Sequence, residues 1–391
     1  MSSMIQAREQ FLSFSPPSIS DAERNEVMDT LHSEWLTTGP KTKRFEADIK
    51  AYVGAPGIVA LNSCTAGLHV GLVALGVGPG DEVLVPSMTF CATANVVEHV
   101  GAKPVLVDVR PDTLCMDPEA AARAITPRTK AIMPVHYAGH PADLDPLFAL
   151  TEKHGLHMLE DAAHAIPTRY KGVLVGNRKN LAAYSFYATK NLTTVEGGAL
   201  TGDPELIEKC RIIGHHGMNR DAWKRFDKSG SWYYEVVLPG FKYNMTDLQA
   251  AIGIHQLQRL EGFQKRRREV VARYKAGFQG LPELQLPVEL EGCESSWHLY
   301  VLRLRTEQLR ISRNEMIEGL KALNIGTSVH YVPVHMHPFY RDKYGYRPED
   351  CPEAFDSYQR MLSLPLHPGL TDADVDYVIE AVRSLVEANR V

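Results

Sequence analysis

The sequence predicts an α/β protein with a mostly parallel sheet and a smaller C-terminal α+β domain. Its 391 residues are too many for one compact core, so two domains are expected. Between about residues 56 and 215, short β-branched runs alternate with helical stretches, which is typical of a parallel sheet covered by helices. From about residue 246 a long helical stretch precedes a shorter alternation. We therefore predict a large domain over residues 1–250 and a small domain over residues 251–391.

Seven runs of the large domain are predicted to be strands: GIVALN, EVLVP, PVLVDV, AIMPVH, HMLED, AAYSFY and GGALTG. Helices are predicted over TAGLHVGLVALG, ATANVVEHVG and ADLDPLFALTEKHG, and the last of these should end at Gly155. The segment GSWYYEVVLPG, over residues 230–240, is expected to be a long excursion from this pattern.

The small domain is predicted to begin with a long helix. Thr246 is a suitable N-cap for it, and Gln249 completes a capping box. The strands predicted after it are HLYVLRL and TSVHYVPV, and the helices are SRNEMIEGLKALNIG and a final one over residues 372–388.

Composition and charge narrow the class of protein. Hydrophobic residues make up 44% and charged residues 23%, and the net charge is −5, which gives no indication of a nucleic-acid or membrane-surface partner. No stretch reaches the roughly 18 apolar residues that span a bilayer, and the N-terminus does not resemble a signal peptide. None of the six cysteines forms a C-x-x-C pair, so we expect reduced thiols in a cytoplasmic protein.

Lys190 lies in SFYATKNLTTVEGG, where no charged neighbour follows until Glu196. A lysine in such surroundings is either a solvated side chain or a buried amine with a chemical role. Burial disfavours the ammonium form and lowers its pKa. A neutral amine attacks carbonyl groups and can form a Schiff base, so Lys190 is a candidate nucleophile.

Two further segments carry polar residues where a predicted strand ends and a helix begins. In LNSCTAG, Ser63 and Thr65 could bind a phosphate at the helix N-terminus, or could simply cap the helix. Asp161 ends the run HMLED, at the edge of the sheet where α/β proteins bind ligands. It could hold a cation or a protonated ring nitrogen, or cap the helix that follows. His164 would lie on the same face as Asp161 if that turn is helical, although a lone histidine is more often structural.

Together these residues match the needs of a pyridoxal phosphate enzyme. That cofactor requires a lysine for its aldehyde, an acid for its pyridine nitrogen, a helix N-terminus for its phosphate and an aromatic side chain over its ring. The chain offers Lys190 for the aldehyde, Asp161 for the pyridine nitrogen, Thr65 with Ala66 for the phosphate, and Phe90 for the ring. The histidines of GHHGM and HYVPVHMH lack carboxylate or cysteine partners at metal-ligand spacing, so no metal is predicted.

The same motifs resemble the DegT/StrS aminotransferases, pyridoxal phosphate enzymes that act mainly on nucleotide-linked keto-sugars. The similar segments run through nearly the whole chain: EWLTTGPKTKRFE, NSCTAGLHVGLVALGVGPGDEVLVPSMTF, VHYAGHPADLD, EDAAHA, SFYATKNLTTVEGG and PGFKYNMTDLQAAIGIHQLQRLE. This resemblance implies the aspartate-aminotransferase fold (fold type I of pyridoxal phosphate enzymes). It also implies a homodimer with shared active sites.

The resemblance assigns a role to each matched residue. Lys190 would be the catalytic Schiff-base lysine, and Asp161 would pair with the pyridine nitrogen. The remaining cofactor contacts would be Thr65, Ala66 and Ser185 at the phosphate, Phe90 on the ring, His164, and Asn244, which would reach the partner subunit's site. Substrate contacts would be His164, Lys242 and His330. Many relatives read GxNxR where this chain has Lys242 and Asn244, which makes their transfer less direct.

The function implied is transfer of an amino group from L-glutamate to a nucleotide-linked keto-sugar. His164 replaces the glutamine of most relatives, and this resembles the branch that aminates C4 of UDP-linked 4-keto sugars, of the 4-amino-4-deoxy-arabinose type. Three alternatives stay open: a dTDP- or GDP-linked keto-sugar or a keto-cyclitol as acceptor, a cofactor-binding regulator without turnover, and an α/β protein without a cofactor.

Overall fold

The computed structural model describes residues 5–33, 35–219 and 233–391. The part before residue 220 contains, in chain order, α1 (Asp21–His32), α2 (Pro40–Val53), β1 (Gly57–Leu61), α3 (Cys64–Ala74), β2 (Glu82–Pro86), α4 (Ala92–His99), β3 (Lys103–Val107), α5 (Pro118–Ala124), β4 (Thr129–Ile132), α6 (Leu144–His154), β5 (His157–Asp161), β6 (Arg169–Tyr170), β7 (Val173–Leu174), β8 (Leu181–Ser185), β9 (Gly198–Gly202) and α7 (Pro204–Ile213).

The part after residue 232 begins with the long helix. Its elements are α8 (Asp247–Gly277), β10 (Leu284–Gln285), β11 (Cys293–Glu294), β12 (Tyr300–Leu304), α9 (Arg313–Ala322), α10 (Pro338–Tyr344), α11 (Pro352–Arg360), β13 (Met361–Leu364) and α12 (Asp372–Ala388). Within the described residues, no helix is both long and apolar enough to cross a bilayer.

A seven-stranded sheet in the order β1-β9-β8-β5-β4-β2-β3 forms the centre of the large domain. Neighbours from β3 to β8 pair in parallel, whereas β9 runs antiparallel to both β1 and β8. All seven predicted runs contribute a strand, so the predicted sheet is confirmed. Helix α3 packs against the middle of this sheet, and Leu68 and Leu72 are fully buried there.

Two neighbouring parallel strands end at the same edge of this sheet. Strand β5 ends at Asp161, and β8 ends at Ser185. The chain that follows β8 carries Lys190 before it returns as β9, and α3 begins beside it, directly after β1. The alternation of strands and helices therefore brings together the three predicted polar segments, which contain Thr65, Asp161 and Lys190.

A second core lies in the C-terminal part. The antiparallel sheet β10-β12-β13 packs with α9, α12 and the end of α8 around fully buried apolar side chains, among them Tyr300, Leu302, Met316, Leu320 and Val378. The third small sheet joins β11, β6 and β7. The predicted boundary at residue 250 falls inside α8, which contacts α1 and α2 as well as α12, and that boundary stays a prediction.

The strand predicted over TSVHYVPV is wrong. Residues 327–333 belong to no sheet, and only Ser328 makes an isolated bridge, to Ser363 of β13. Pro333 has no backbone N–H to give to a sheet. The residues that read as a strand pattern instead carry His330 and Tyr331 towards the large domain. The segment predicted as an excursion, residues 230–240, lies partly outside the described residues.

Helix ends follow the sequence closely. Helix α6 ends before Gly155, whose φ of 63° is left-handed, a conformation that glycine adopts without steric cost. At the start of α8, the Thr246 side chain accepts from the Gln249 N–H and the Gln249 side chain accepts from the Thr246 N–H. This is the predicted capping box.

Asp247, the first residue of α8, ties that helix to α2. Its side chain is buried and accepts hydrogen bonds from the backbone N–H groups of Gly39, Lys41 and Thr42, at 2.8–3.0 Å, and from the Thr42 hydroxyl at 2.7 Å. These amides form the N-terminus of α2, where no intrahelical partner exists. One carboxylate from a distant part of the chain thus caps a helix of the large domain.

We expect Asp247→Ala to lower the free energy of unfolding by about 3 kcal/mol, because it leaves several buried donors without an acceptor. The midpoint of urea unfolding measures this. The matched control is Asp48→Ala, whose half-exposed carboxylate lies 3.7 Å from Arg44, and which should change stability by less than about 0.5 kcal/mol. Equal effects of the two substitutions would contradict the capping role.

Candidate active site

A cavity of about 520 Å³ opens at the sheet edge where β5 and β8 end. It collects most of the residues singled out in the sequence. The lining includes Thr65, Phe90, Asp161, His164, Ser185, Lys190 and His330, together with Cys64, His298 and Tyr331. The parallel topology and the chain after residue 326 bring these groups together from six separate parts of the chain.

Asp161 is buried at the end of β5, and three neighbouring elements hold its carboxylate. The Thr93 hydroxyl of α4 donates to Oδ2 at 2.8 Å, and the Ala163 N–H donates to Oδ1 at 3.1 Å. The Cys64 thiol lies 3.9 Å from Oδ1. Burial raises the pKa of Asp161, while the hydrogen bonds from Thr93 and Ala163 and the nearby Lys190 act in the opposite direction. The hydrogen bonds to its two oxygens therefore fix the position and the orientation of the carboxylate.

Lys190 follows β8 in a turn, where its N–H donates to the Tyr187 carbonyl at 2.9 Å. Its side chain lines the cavity, and burial of the amine lowers its pKa from 10.5 to about 8, although Cys64 and Asp161 act in the opposite direction. An amine with this pKa is neutral in about one molecule in ten at pH 7 and in half at pH 8, far more than for an exposed lysine, and only the neutral form attacks a carbonyl.

The N-terminus of α3 points at the same cavity. Ser63 is the N-cap, and its hydroxyl accepts from the Ala66 N–H at 3.0 Å. The N–H groups of Cys64 and Thr65, the first two residues of the helix, have no carbonyl four residues earlier to bind. Gly198 permits this close packing, because a Cβ there would lie 2.4 Å from the Ser63 carbonyl carbon. The free amides of Cys64 and Thr65 can therefore bind an anion. Ser63 caps the helix, which was the alternative role considered for it in the sequence.

Three histidines line the cavity in their neutral form. Burial and the nearby Lys190 lower the pKa of His164 and of His298 well below the usual value, and lower that of His330 to about 4. The His164 and His298 rings lie 4.4 Å apart, centroid to centroid. His330 Nδ1 lies 2.8 Å from the Ser363 hydroxyl, and its ring stacks on Phe14. The cavity therefore holds polar rings without adding further positive charge to Lys190.

Three predicted residues do not line this cavity. Ala66 lies within the first turn of α3, but its N–H is engaged by Ser63. Lys242 is exposed and pairs through its backbone with His215. The Asn244 amide donates to the Thr38 hydroxyl at 2.6 Å, and its buried oxygen has no hydrogen-bond partner among the described residues. Their predicted roles in cofactor or substrate binding stay predictions.

Sequence reasoning missed four residues of the site. Thr93 and Cys64 contact Asp161, and Tyr331 contacts His164. His298 was read as part of a strand, but β12 begins two residues later, at Tyr300. Nothing in the local pattern marks Thr93, which is the second residue of the ordinary helix α4. Tyr331 adjoins the predicted His330, so the position of one could have drawn attention to the other.

A sequence model of the DegT/DnrJ/EryC1/StrS aminotransferase family matches residues 17–383. The chain belongs to this family. It is 50% identical over 386 residues to the spore coat polysaccharide biosynthesis protein SpsC of Bacillus subtilis, and the match covers 98% of this chain and 99% of SpsC.

Solved structures give the same result for the family and its fold. Spr1654 of Streptococcus pneumoniae, assigned as a sugar aminotransferase and solved in its PMP form, superposes with a TM-score of 0.91 at 39% identity and covers 96% of this chain and 99% of its own. DesV of S. venezuelae superposes with a TM-score of 0.86 at 38% identity and covers 94% and 95%. The protein thus has the aspartate-aminotransferase fold and is a pyridoxal phosphate-dependent sugar aminotransferase.

The described residues fit this cofactor. The cavity supplies an amine of lowered pKa at Lys190, a hydrogen-bonded carboxylate at Asp161, a helix N-terminus with open amides at Thr65, and an aromatic side chain, Phe90, in its lining. Each of these matches one chemical group of pyridoxal phosphate: aldehyde, pyridine nitrogen, phosphate and ring face.

The lowered pKa of Lys190 has a measurable consequence in the cofactor-free protein. Methylation of Lys190 by formaldehyde and a borane reductant should rise about tenfold per pH unit and level off above pH 8, because only the neutral amine reacts. Peptide mass spectrometry gives the rate at each lysine. Lys171, which is exposed and paired with Asp145 at 2.5 Å, is the internal control, and its rate should still be rising at pH 10. A Lys190 rate that rises in parallel with that of Lys171 would contradict the assignment.

Proposed function

We propose that this enzyme transfers an amino group from L-glutamate to C4 of a UDP-linked 4-keto-6-deoxy-hexose or 4-keto-pentose. The product would be an amino sugar for a surface polysaccharide, another glycan or an antibiotic. The observation that carries the proposal is that the Lys190 amine, whose pKa is lowered to about 8 by burial, and the hydrogen-bonded carboxylate of Asp161 line one cavity. The role of SpsC in spore coat polysaccharide biosynthesis supports a polysaccharide product.

Pyridoxal phosphate supplies an aldehyde that condenses with amines and a protonated ring that withdraws electrons from the bond being broken. Asp161 would hold the proton on the ring nitrogen, and Thr93 and Ala163 keep its carboxylate turned to that position. The N-terminus of α3, with Thr65, and Ser185 at the end of β8 would bind the phosphate, and Phe90 would cover the ring. Contacts of this kind would hold the cofactor with its aldehyde within reach of Lys190.

Lys190 would move the proton. Its amine has a pKa of about 8, so it can take a proton from the donor's α-carbon and return it elsewhere at near-neutral pH. The neutral His330 would contact the substrate without repelling the ammonium form of Lys190. Both ring nitrogens of His164 have partners within the protein, Ala138 and Tyr331, so its predicted contact with the substrate would replace one of these hydrogen bonds. Because donor and acceptor would use this one cavity in turn, the kinetics should be ping-pong.

The remaining features of the proposal concern assembly and location. Asn244 and Lys242 lie away from the cavity of their own chain, which is compatible with a homodimer in which Asn244 reaches the partner subunit's site and Lys242 contacts the substrate. A nucleotide-linked acceptor, the dimer and a cytoplasmic location stay predictions.

A second candidate keeps the chemistry and changes the acceptor to a dTDP- or GDP-linked keto-sugar or a keto-cyclitol. A cofactor-binding regulator without turnover is disfavoured because the cavity contains both Lys190 and Asp161.

An absorbance spectrum of the purified protein with pyridoxal phosphate tests the function directly. We expect a visible band from the cofactor bound to Lys190, which L-glutamate removes and the UDP-4-keto-6-deoxy sugar restores, because the two half-reactions run in opposite directions. A panel of dTDP- and GDP-linked keto-sugars and a keto-cyclitol identifies the acceptor. A band that glutamate removes and only another acceptor restores would refute the UDP-linked substrate and keep the aminotransferase.

Substitutions separate the roles of the two central residues. Lys190→Ala should lower kcat by at least about 10³-fold and abolish the visible band, because both the covalent attachment and the proton transfer are lost. Asp161→Ala should lower kcat by about 10²-fold or more, because the ring nitrogen loses its partner charge. Lys171→Ala, on the surface, is the matched control for the first substitution. An Asp161→Ala enzyme that differs only in cofactor affinity would contradict the proposed electrostatic role.

A further inference from the structure

His330 lines the cavity with one ring nitrogen bonded to the protein and the other open. Nδ1 lies 2.8 Å from the Ser363 hydroxyl of β13. Nε2, on the opposite side of the ring, has no hydrogen-bond partner among the described residues, and it is not one of the enclosed polar atoms of the protein. Nε2 is therefore the atom with which His330 can bind a molecule in the cavity.

Phe14, from the N-terminal segment, sets the plane of this ring. The centroids of the Phe14 and His330 rings lie 5.4 Å apart and their planes differ by 26°, which is a stacked arrangement. The neighbouring Tyr331 ring is nearly perpendicular to the imidazole, at 86°. The stack on Phe14 fixes the plane of the imidazole, and the hydrogen bond to Ser363 fixes its rotation within that plane.

The N-terminal segment is itself held on both sides of Phe14. Before it, Leu12 makes two backbone hydrogen bonds, at 2.8 and 2.9 Å, with the chain over residues 324–326. After it, the Ser15 hydroxyl donates to the carbonyl of Thr189 at 3.3 Å, directly before the lysine of the cavity. The segment thus joins the C-terminal core to the turn that carries the cavity amine, and Phe14 has a fixed position between these two attachments.

The imidazole that Phe14 covers is neutral, because burial and the nearby Lys190 lower the pKa of His330 to about 4. A neutral ring offers a hydrogen bond at Nε2 but no ionic attraction. The hydroxyl groups of a sugar are satisfied by such a bond, whereas carboxylates such as those of L-glutamate bind most strongly to charged donors. The position of this ring should therefore matter more to a sugar than to the amino donor.

We propose that Phe14 is a positioning residue for the acceptor: it holds His330 in the orientation that binds the keto-sugar and leaves the reaction with the amino donor largely unaffected. Phe14 acts through His330 and does not itself line the cavity. This inference rests on the proposed function of the cavity, and it gives the N-terminal segment a part in acceptor recognition.

Ping-pong kinetics separate the two half-reactions, because kcat/KM for each substrate reports its own half-reaction. Phe14→Ala should lower kcat/KM for the acceptor about three- to tenfold, the range for one hydrogen bond between neutral groups, and change kcat/KM for L-glutamate by less than about twofold. The acceptor is the UDP-4-keto-6-deoxy sugar, or the member of the panel that restores the visible band in the wild type. Phe11→Ala is the matched control, because the Phe11 ring belongs to the same segment and is 57% exposed, and both values should equal those of the wild type.

The imidazole gives a second measurement, in the cofactor-free protein. Loss of the Phe14 ring admits water to His330 and favours the imidazolium, so Phe14→Ala should raise the pKa of His330 from about 4 by at least about one pH unit, towards its usual 6.5. NMR titration of the ring signals, assigned with His330→Gln, measures this pKa. All other titratable groups that face the ring are retained in the Phe14 variants: Lys190, His164, His298 and Tyr331.

A double-mutant cycle tests whether Phe14 acts through His330. His330→Ala removes the group that is positioned, so the addition of Phe14→Ala should lower kcat/KM for the acceptor by less than about twofold further. Losses that add fully in the double variant would mean that Phe14 does not act through His330, and would overturn the proposal. Phe14→Leu keeps an apolar cover without a planar ring and should lie between the wild type and Phe14→Ala in both measurements. It carries the test if urea unfolding shows that Phe14→Ala does not fold.

The remaining outcomes separate this inference from the proposed function. Equal losses of kcat/KM for donor and acceptor in Phe14→Ala would indicate a general structural effect and refute the inference, as would unchanged values for both. A wild-type protein that develops no visible band would refute the proposed function, and the role in acceptor recognition with it. An unshifted pKa of His330 in Phe14→Ala would refute the positioning of this ring whether or not the band appears.

Discussion

The structure of this site depends on burying a carboxylate and an amine in the wall of one cavity. Both charged forms are disfavoured by burial, which raises the pKa of Asp161 and lowers that of Lys190. The Asp161 carboxylate is nevertheless stabilised there, because the Thr93 hydroxyl and the Ala163 N–H donate hydrogen bonds to it. A buried acid of this kind requires donors from several elements at once, so helices α3 and α4 and strand β5 must meet at this point.

The neutral histidines follow from the same constraint. A second cation close to Lys190 would be unfavourable, and burial already disfavours an imidazolium. His164, His298 and His330 therefore stay neutral, and each ring acts as one donor and one acceptor. For example, His164 Nδ1 accepts from the Ala138 N–H, so Nε2 carries the hydrogen of the ring and donates to the Tyr331 hydroxyl.

The segment over residues 327–335 connects the two cores at this cavity. The His330 carbonyl accepts from the Tyr137 hydroxyl of the large domain, while its ring nitrogen contacts Ser363 of β13. Nearby, His335 Nδ1 lies 2.5 Å from the Ser87 hydroxyl, just after β2. Because this segment is held by contacts on both sides, Tyr331 has a fixed position relative to the large sheet.

The sequence by itself determined the seven strands, the capped helices and the choice of Lys190 and Asp161. Strand and helix periodicity, capping residues and the position of polar residues at strand ends are local properties, and the motifs add a strong resemblance. Only the tertiary structure decided that TSVHYVPV is not a strand, that Asp247 caps α2, and that Thr93, Tyr331 and His298 belong to the site. These features depend on contacts between residues far apart in the chain, and no local pattern distinguishes a threonine or tyrosine that meets a buried carboxylate or imidazole from one that does not.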